Sequence, residues 1–180
     1  MEADRRVKTN LIISRIVLFI SFVLVNIITT RIAIRGIFGI LFGMSIEQHY
    51  YFIYILSIVL SSGLSLLIFE LVSKYYFALT AVRKGNCLPA DVPRLVYKLR
   101  YYFVVRNVIV ALISIAYIFY PILYIKGNSL FSMAATLIMI IIFYLDVKKS
   151  VLINVNDGTF FDLAFPILII EIVLLIGGLL

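Results

Sequence analysis

Five long apolar runs, separated by short polar segments, dominate the chain. A bilayer core about 30 Å thick is crossed by roughly 20 helical residues, and the runs are near that length. None shows the alternation of a membrane β-strand, and helices satisfy their own backbone groups in lipid. The pattern therefore predicts an all-α, polytopic bundle of five transmembrane helices in one integral membrane domain, residues 1–180. The runs are Leu11 to Thr30, Tyr51 to Val72, Tyr102 to Ile125, Leu130 to Leu145 and Leu163 to Leu180.

One apolar segment, Arg31 to Gly43, does not fit this pattern. It is too short to cross a bilayer and too apolar for an ordinary outer loop, so we expect an interfacial or re-entrant helix. A sixth span here is the alternative. It would move the largest basic loop to the outside unless other boundaries also moved.

The longest polar segment, residues 73–101, carries the signals of a helical hairpin that extends out of the membrane. Gly85 and Asn86 are typical of a helix C-cap, Asp91 lies near a new helix start, and Pro93 suits a first turn. The segment also concentrates basic residues. They are Lys74, Arg83, Lys84, Arg94, Lys98 and Arg100.

Composition and charge place this bundle in a cell membrane and orient it. Apolar residues make up 64% of the 180 positions and mean hydropathy is +1.15, well outside the range of soluble domains. Eleven basic residues fall on one predicted side and three on the other, so the N-terminus is expected in the cytoplasm and the C-terminus outside. The basic loop would then face anionic headgroups, and each Lys or Arg near the surface would add about 1 kcal/mol of attraction to the membrane. Arg15 and Arg106 are expected to snorkel to the cytoplasmic interface.

No catalytic motif accompanies the apolar runs. The chain has no GxxxxGK, HExxH or CxxC pattern, and its one cysteine, Cys87, is expected to be a free thiol. His49 is expected to be a solvated interfacial residue. We therefore predict a protein without enzymatic activity, cofactor, metal or nucleic-acid partner.

Glu171 is the sharpest candidate functional residue. It lies within the last apolar run, and an acid inside a membrane is costly enough to suggest a function. The alternative is a packing acid that faces Arg15 or Arg106. Glu70, close to the cytoplasmic end of its run, is expected to be a helix-end group.

A stripe of small residues indicates close helix packing in the second run. Ser57, Ser61 and Ser65 recur every four residues, with Gly63 beside them. We expect this stripe to contact another helix and Ile58 to face lipid. A hydroxyl-lined substrate path is the alternative.

The stretch AVRKGNCLPADVPRLVYKLRYYFVVRNVIVAL resembles the cytoplasmic loop of bacterial six-span sensor modules that precede HAMP linkers and adenylate/guanylate cyclase or chemoreceptor domains. Gly85, Leu88 and Pro89, with Lys98 and Arg100, occupy the matching places. The chain shows neither a HAMP segment nor a catalytic domain. The resemblance therefore implies the membrane part alone, with a sixth helix missing.

Three functions remain open from the sequence. The first is a sensory or anchoring module in signal transduction that passes changes in helix packing through the 73–101 hairpin. Its partner would be a cytoplasmic or membrane protein, or a second copy. The second is a small transporter subunit or substrate-binding membrane component, with polar groups lining a cavity around Glu171. The third is a structural accessory subunit of a membrane complex.

Overall fold

The residues that the structure describes form five α-helices. A computed structural model describes residues 2–32, 51–77, 79, 88–116, 121–150 and 159–177, and within these ranges it contains no strand. A short 3-10 turn, Pro89–Asp91, leads into the third helix. The predicted all-α class is confirmed for these residues. The helices are α1 (Glu2–Ile32), α2 (Tyr51–Phe77), α3 (Val92–Ala116), α4 (Pro121–Lys149) and α5 (Thr159–Gly177).

Within the described part of the chain, three helices are long and apolar enough to cross a membrane, which supports the predicted membrane insertion. The qualifying segments are Thr9–Ile28 of α1, Tyr54–Phe77 of α2 and Leu130–Lys149 of α4. Length and composition alone support these three crossings, and not yet five.

The start of the third helix agrees with the prediction, whereas the boundary between the third and fourth helices differs from the predicted runs. The third helix begins at Val92, with Pro93 in its first turn, and continues through the basic segment. It ends at Ala116 and α4 begins at Pro121, both earlier than the predicted boundaries at Ile125 and Leu130. At a first helical position proline costs little, because its missing N–H would be unpaired there in any case. Pro166 lies inside α5, which begins at Thr159.

Several predictions fall on residues outside the described ranges. They concern His49, the basic residues Arg83 and Lys84, Cys87, and the segment after Ile32, where α1 ends. The re-entrant helix and its alternative, a sixth span, therefore stay predictions.

The helices pack as a ring in which α1 contacts α2, α2 contacts α5, α5 contacts α4, α4 contacts α3, and α3 returns to α1. Contacts between α3 and α2 close the interior. Side-chain pairs fix the directions. Ser14 and Ser21 of α1 meet Arg100 and Asn107 of α3, so these two helices are parallel. Asn26, late in α1, meets Ser62 of α2, and Arg15, earlier in α1, meets Glu70, later in α2, so that pair is antiparallel.

Large apolar side chains fill the interior, mainly at the end of the bundle where α3 begins. Phe69 of α2 packs edge-on against Phe103 of α3, with ring centroids 4.9 Å apart. Tyr102 contacts Phe143 of α4 at 5.5 Å. The outward faces of the helices are also apolar, as expected for a bundle in lipid. Polar side chains inside this bundle must therefore find partners on one another.

Candidate functional site

A buried ion pair joins α3 and α5. Arg106 Nη2 contacts Glu171 Oε1, and the two side chains are only 6% and 3% exposed. A lone buried charge would be very costly in this apolar setting, whereas a paired and hydrogen-bonded charge is tolerated. The pair therefore explains how the sequence carries an arginine and an acid within apolar helices.

Two hydroxyl groups of α4 make further hydrogen bonds to this ion pair. Arg106 Nε donates to Thr136 Oγ1 at 3.3 Å, and Arg106 Nη2 donates to Ser132 Oγ. The Ser132 hydroxyl in turn donates to Glu171 Oε1 at 2.5 Å. Ser132 and Thr136 are four residues apart, so they lie on one face of α4 and reach the same guanidinium group.

The contacts continue from Arg106 to α1. Its Nη1 donates to Asn107 Oδ1 at 2.9 Å, and Asn107 Nδ2 donates to Ser21 Oγ at 3.0 Å. Four of the five helices therefore meet through one set of polar side chains. We call this set the central network: Ser21, Arg106, Asn107, Ser132, Thr136 and Glu171.

One acceptor of the central network is left over. Glu171 Oε2 is buried and has no hydrogen-bond partner among the described residues. A buried carboxylate oxygen without a donor is expensive.

A second cluster lies nearer the start of α1 and the end of α2. Arg100 Nε donates to Glu70 Oε1 at 2.6 Å, and Arg100 Nη1 donates to Ser14 Oγ at 3.0 Å. Lys74 Nζ and Arg15 Nη2 lie 3.0 and 3.5 Å from Glu70 Oε2. We call these five residues the end cluster.

A third set of polar contacts joins α1 to α2 farther along. Asn26 Nδ2 donates to Ser62 Oγ at 2.9 Å and to Ser61 Oγ at 3.1 Å. Ser62 is fully buried, so this amide–hydroxyl contact fixes the rotation of α2 against α1.

The predicted charged candidates have different surroundings from those expected. Glu171 faces Arg106, one of its two proposed partners, while Arg15 belongs to the end cluster. The snorkelling of Arg106 was wrong, because hydroxyl and carboxylate acceptors inside the bundle hold its guanidinium. Arg100 is also buried rather than part of a solvated loop, because Glu70 and Ser14 pair with it.

The predicted serine stripe is rotated relative to the true packing face. Ser57 is exposed and Ser65 half-buried, and both hydroxyls bond to the backbone of their own helix. Ile58, expected to face lipid, is only 5% exposed, and Ser62 is buried. Added volume at Gly63 would meet open space. Ser61 reaches α1 through Asn26, so the packing face lies one residue beyond the predicted stripe.

The other described residues of the basic segment form pairs near the start of α3. Lys98 Nζ lies 2.8 Å from Asp146 of α4, and Arg94 Nη1 lies 3.4 Å from Asp91. Both pairs are partly or largely exposed, and such pairs add little stability.

Several residues of these clusters were not singled out in the sequence. Asn107 directly follows Arg106, and Ser132 and Thr136 repeat at a helical interval, so each carried a weak signal of a polar face. Glu70 was predicted to be a helix-end group, although its carboxylate contacts three basic side chains. Spacing within one helix indicates a face, but it does not identify the helix that covers it.

Two further observations bear on chemistry. No group of three or more His, Cys, Asp or Glu side chains suited to a metal occurs among the residues searched. A surface groove of about 250 Å³ lies between α2 and α5, lined by residues such as Tyr76, Phe161 and Leu168, and it includes no member of the central network.

The chain matches no protein-family model, no curated protein and no solved structure.

Proposed function

We propose that all five helices cross the membrane, with the N-terminus in the cytoplasm and the C-terminus outside. The pair of Arg106 with Glu171 lets the charges that α3 and α5 carry within their apolar segments enter the bilayer together. The 19 residues of α5 extend about 28 Å at 1.5 Å per residue, close to the thickness of the hydrocarbon core. The basic-residue asymmetry supplies the orientation.

Labelling of the native thiol tests this orientation. Cys87 should react with a membrane-impermeant maleimide only from the cytoplasmic face of oriented vesicles. Reaction in intact cells would reverse the topology and, with it, the side on which the end cluster lies.

Within that topology, the chain acts as a non-enzymatic sensory or anchoring module of a signalling system. The observation that supports this function is the central network, in which polar groups of four helices are paired with one another instead of lining the described groove. Such a network gives the bundle one preferred register, and a change in its pairing has to change the packing of several helices. The partner would read that change at the hairpin between α2 and α3.

A distance measurement across the hairpin tests this coupling. Spin labels replace Tyr75 near the end of α2 and Tyr97 near the start of α3, both exposed, in a Cys87→Ser background. Glu171→Gln should shift or broaden the distance distribution, because Arg106 loses its carboxylate. The matched control is Ser57→Ala, which alters an exposed hydroxyl of α2. An unchanged distribution in a folded Glu171→Gln protein would contradict the module.

The free oxygen of Glu171 favours one alternative, a transporter that couples to protons. In that function Glu171 would gain and lose a proton during each cycle, and glutamine cannot do so. Proteoliposomes with an internal pH dye separate the two functions. A wild-type proton flux that disappears in a folded Glu171→Gln protein would support the transporter and contradict the sensory or anchoring function. Flux equal to that of empty vesicles would remove the transporter.

A further inference from the structure

We propose that the end cluster is a discrete binding site for one anionic phospholipid, seated at the seam between α1 and α2. The site is distinct from the general attraction of the basic loop for a charged membrane surface. It consists of Arg15 and Lys74, which would hold the headgroup phosphate, and the apolar face of α2 beside them.

The charge of the end cluster is unbalanced. Arg15, Lys74 and Arg100 share the single carboxylate of Glu70 among the described residues. Two positive charges of the end cluster therefore lack a carboxylate of their own among the residues that the structure describes. The central network contrasts with this, since its one arginine meets one acid.

The unbalanced charge faces outward. The side chains of Arg15 and Lys74 are 44% and 48% exposed, whereas Glu70 is 15% exposed. Arg100, at 2%, is turned inward. The accessible side of the cluster thus presents hydrogen-bond donors and covers the acceptor. Lys has three N–H donors and Arg has five, so both keep donors after contacting Glu70.

The two exposed cations are also close enough to act together. Arg15 Nη2 and Lys74 Nζ approach the same oxygen, Glu70 Oε2, at 3.5 and 3.0 Å. One phosphate group, which offers several acceptor oxygens, can therefore bridge them. Charge-assisted bonds of this kind are the strong class of hydrogen bond.

An acyl-chain path begins at the same place. Leu71 and Leu67 lie one and two turns from Lys74 on the same face of α2, leading toward its apolar middle, and both are exposed. A phospholipid bound through its phosphate would lay a chain along these leucines. A free phosphate ion would gain nothing from them, so the site fits a lipid.

Native mass spectrometry of the full chain tests the site. The protein is equilibrated in mixed micelles containing equal amounts of phosphatidylglycerol and phosphatidylcholine. Wild type should retain one phosphatidylglycerol in preference to phosphatidylcholine. The double variant Arg15→Gln/Lys74→Gln should lower the affinity about thirtyfold, at about fivefold for each basic residue near an anionic headgroup.

The matched control is Arg94→Gln/Lys98→Gln, which removes the same charge from the start of α3 and should keep the lipid. Excess inorganic phosphate should not displace it. Equal retention of both lipids by wild type, or equal loss in the two double variants, overturns the proposal. If inorganic phosphate displaces the bound phosphatidylglycerol, the site binds a simple anion rather than a lipid, and the proposal is overturned as well. Thermal unfolding in zwitterionic detergent shows whether each variant is folded, and the pair of Arg100 with Glu70 remains in both.

Discussion

The two buried arginines of α3 lie less than two turns apart and are neutralised in different ways. Arg106 has one carboxylate, held by α5, and two buried hydroxyl groups of α4. Arg100 shares its carboxylate with Arg15 and Lys74, whose side chains are about half exposed.

The difference concerns what happens when a partner is removed. In the central network a leftover charge stays buried, so the full cost of desolvation appears. In the end cluster the neighbouring side chains can turn to water or to headgroups, and part of the cost is recovered. The central network should therefore govern stability, and the end cluster should govern contacts with the surroundings.

Removing Arg106 should have the largest effect on the fold. Arg106→Met leaves Glu171 buried without a counter-ion and should destabilise the protein by about 3–5 kcal/mol, the scale of a broken buried ion pair. Unfolding in mixed detergent micelles, followed by circular dichroism, measures this.

The double variant Arg106→Met/Glu171→Met is the control for this prediction. It replaces both charges with apolar groups of similar volume and should recover most of the lost stability. If the double variant is as unstable as Arg106→Met alone, packing volume rather than charge balance holds α3 to α5.

Added volume at the α1–α2 seam should have the next largest effect. Ser62 is fully buried against Asn26, so Ser62→Leu should cost about 1–3 kcal/mol through overpacking. Ser57→Leu, at an exposed position of the same helix, should change stability by less than about 0.5 kcal/mol. Similar losses at both positions would contradict the assigned rotation of α2.

These serines also show how far the sequence could predict the structure. Apolar length was enough to predict five helices and to single out Glu171, because both signals lie within one segment. A shift of one residue, as between Ser61 and Ser62, rotates a face by about 100°. Sequence spacing could not resolve that shift, since large side chains such as Ile58 and Phe69 decide which face packs.

The pairing of charges was harder to predict for the same reason. Arg94 and Arg100 belong to one basic segment, yet the first is exposed and the second is buried beside Glu70. The two residues differ because Glu70 of α2 lies next to Arg100 and pairs with it. A positive-inside count treats both residues alike and cannot detect it.

A change at Glu70 compares the two clusters directly. Glu70→Gln keeps an acceptor for Arg100, while Arg15 and Lys74 can reach water. We expect a loss of about 1–3 kcal/mol in the same detergent unfolding experiment, because Arg100 stays buried without its carboxylate but keeps the amide oxygen as an acceptor. A loss as large as that of Arg106→Met would mean that the end cluster is as isolated from water as the central network.

The smallest of these effects should come from a partly exposed ion pair between α3 and α4. Lys98 and Asp146 join α3 to α4 at 2.8 Å, but their side chains are 28% and 38% exposed. Lys98→Gln should therefore cost no more than about 0.5 kcal/mol after screening by water. The loss should shrink further in high salt, because the Debye length falls to about 3 Å at 1 M, whereas the loss in Arg106→Met should not change. Unfolding of both variants at low and high salt measures the two responses together. If both losses respond equally to salt, water reaches Arg106, and the ranking from a dry central network to a solvated helix end is incorrect.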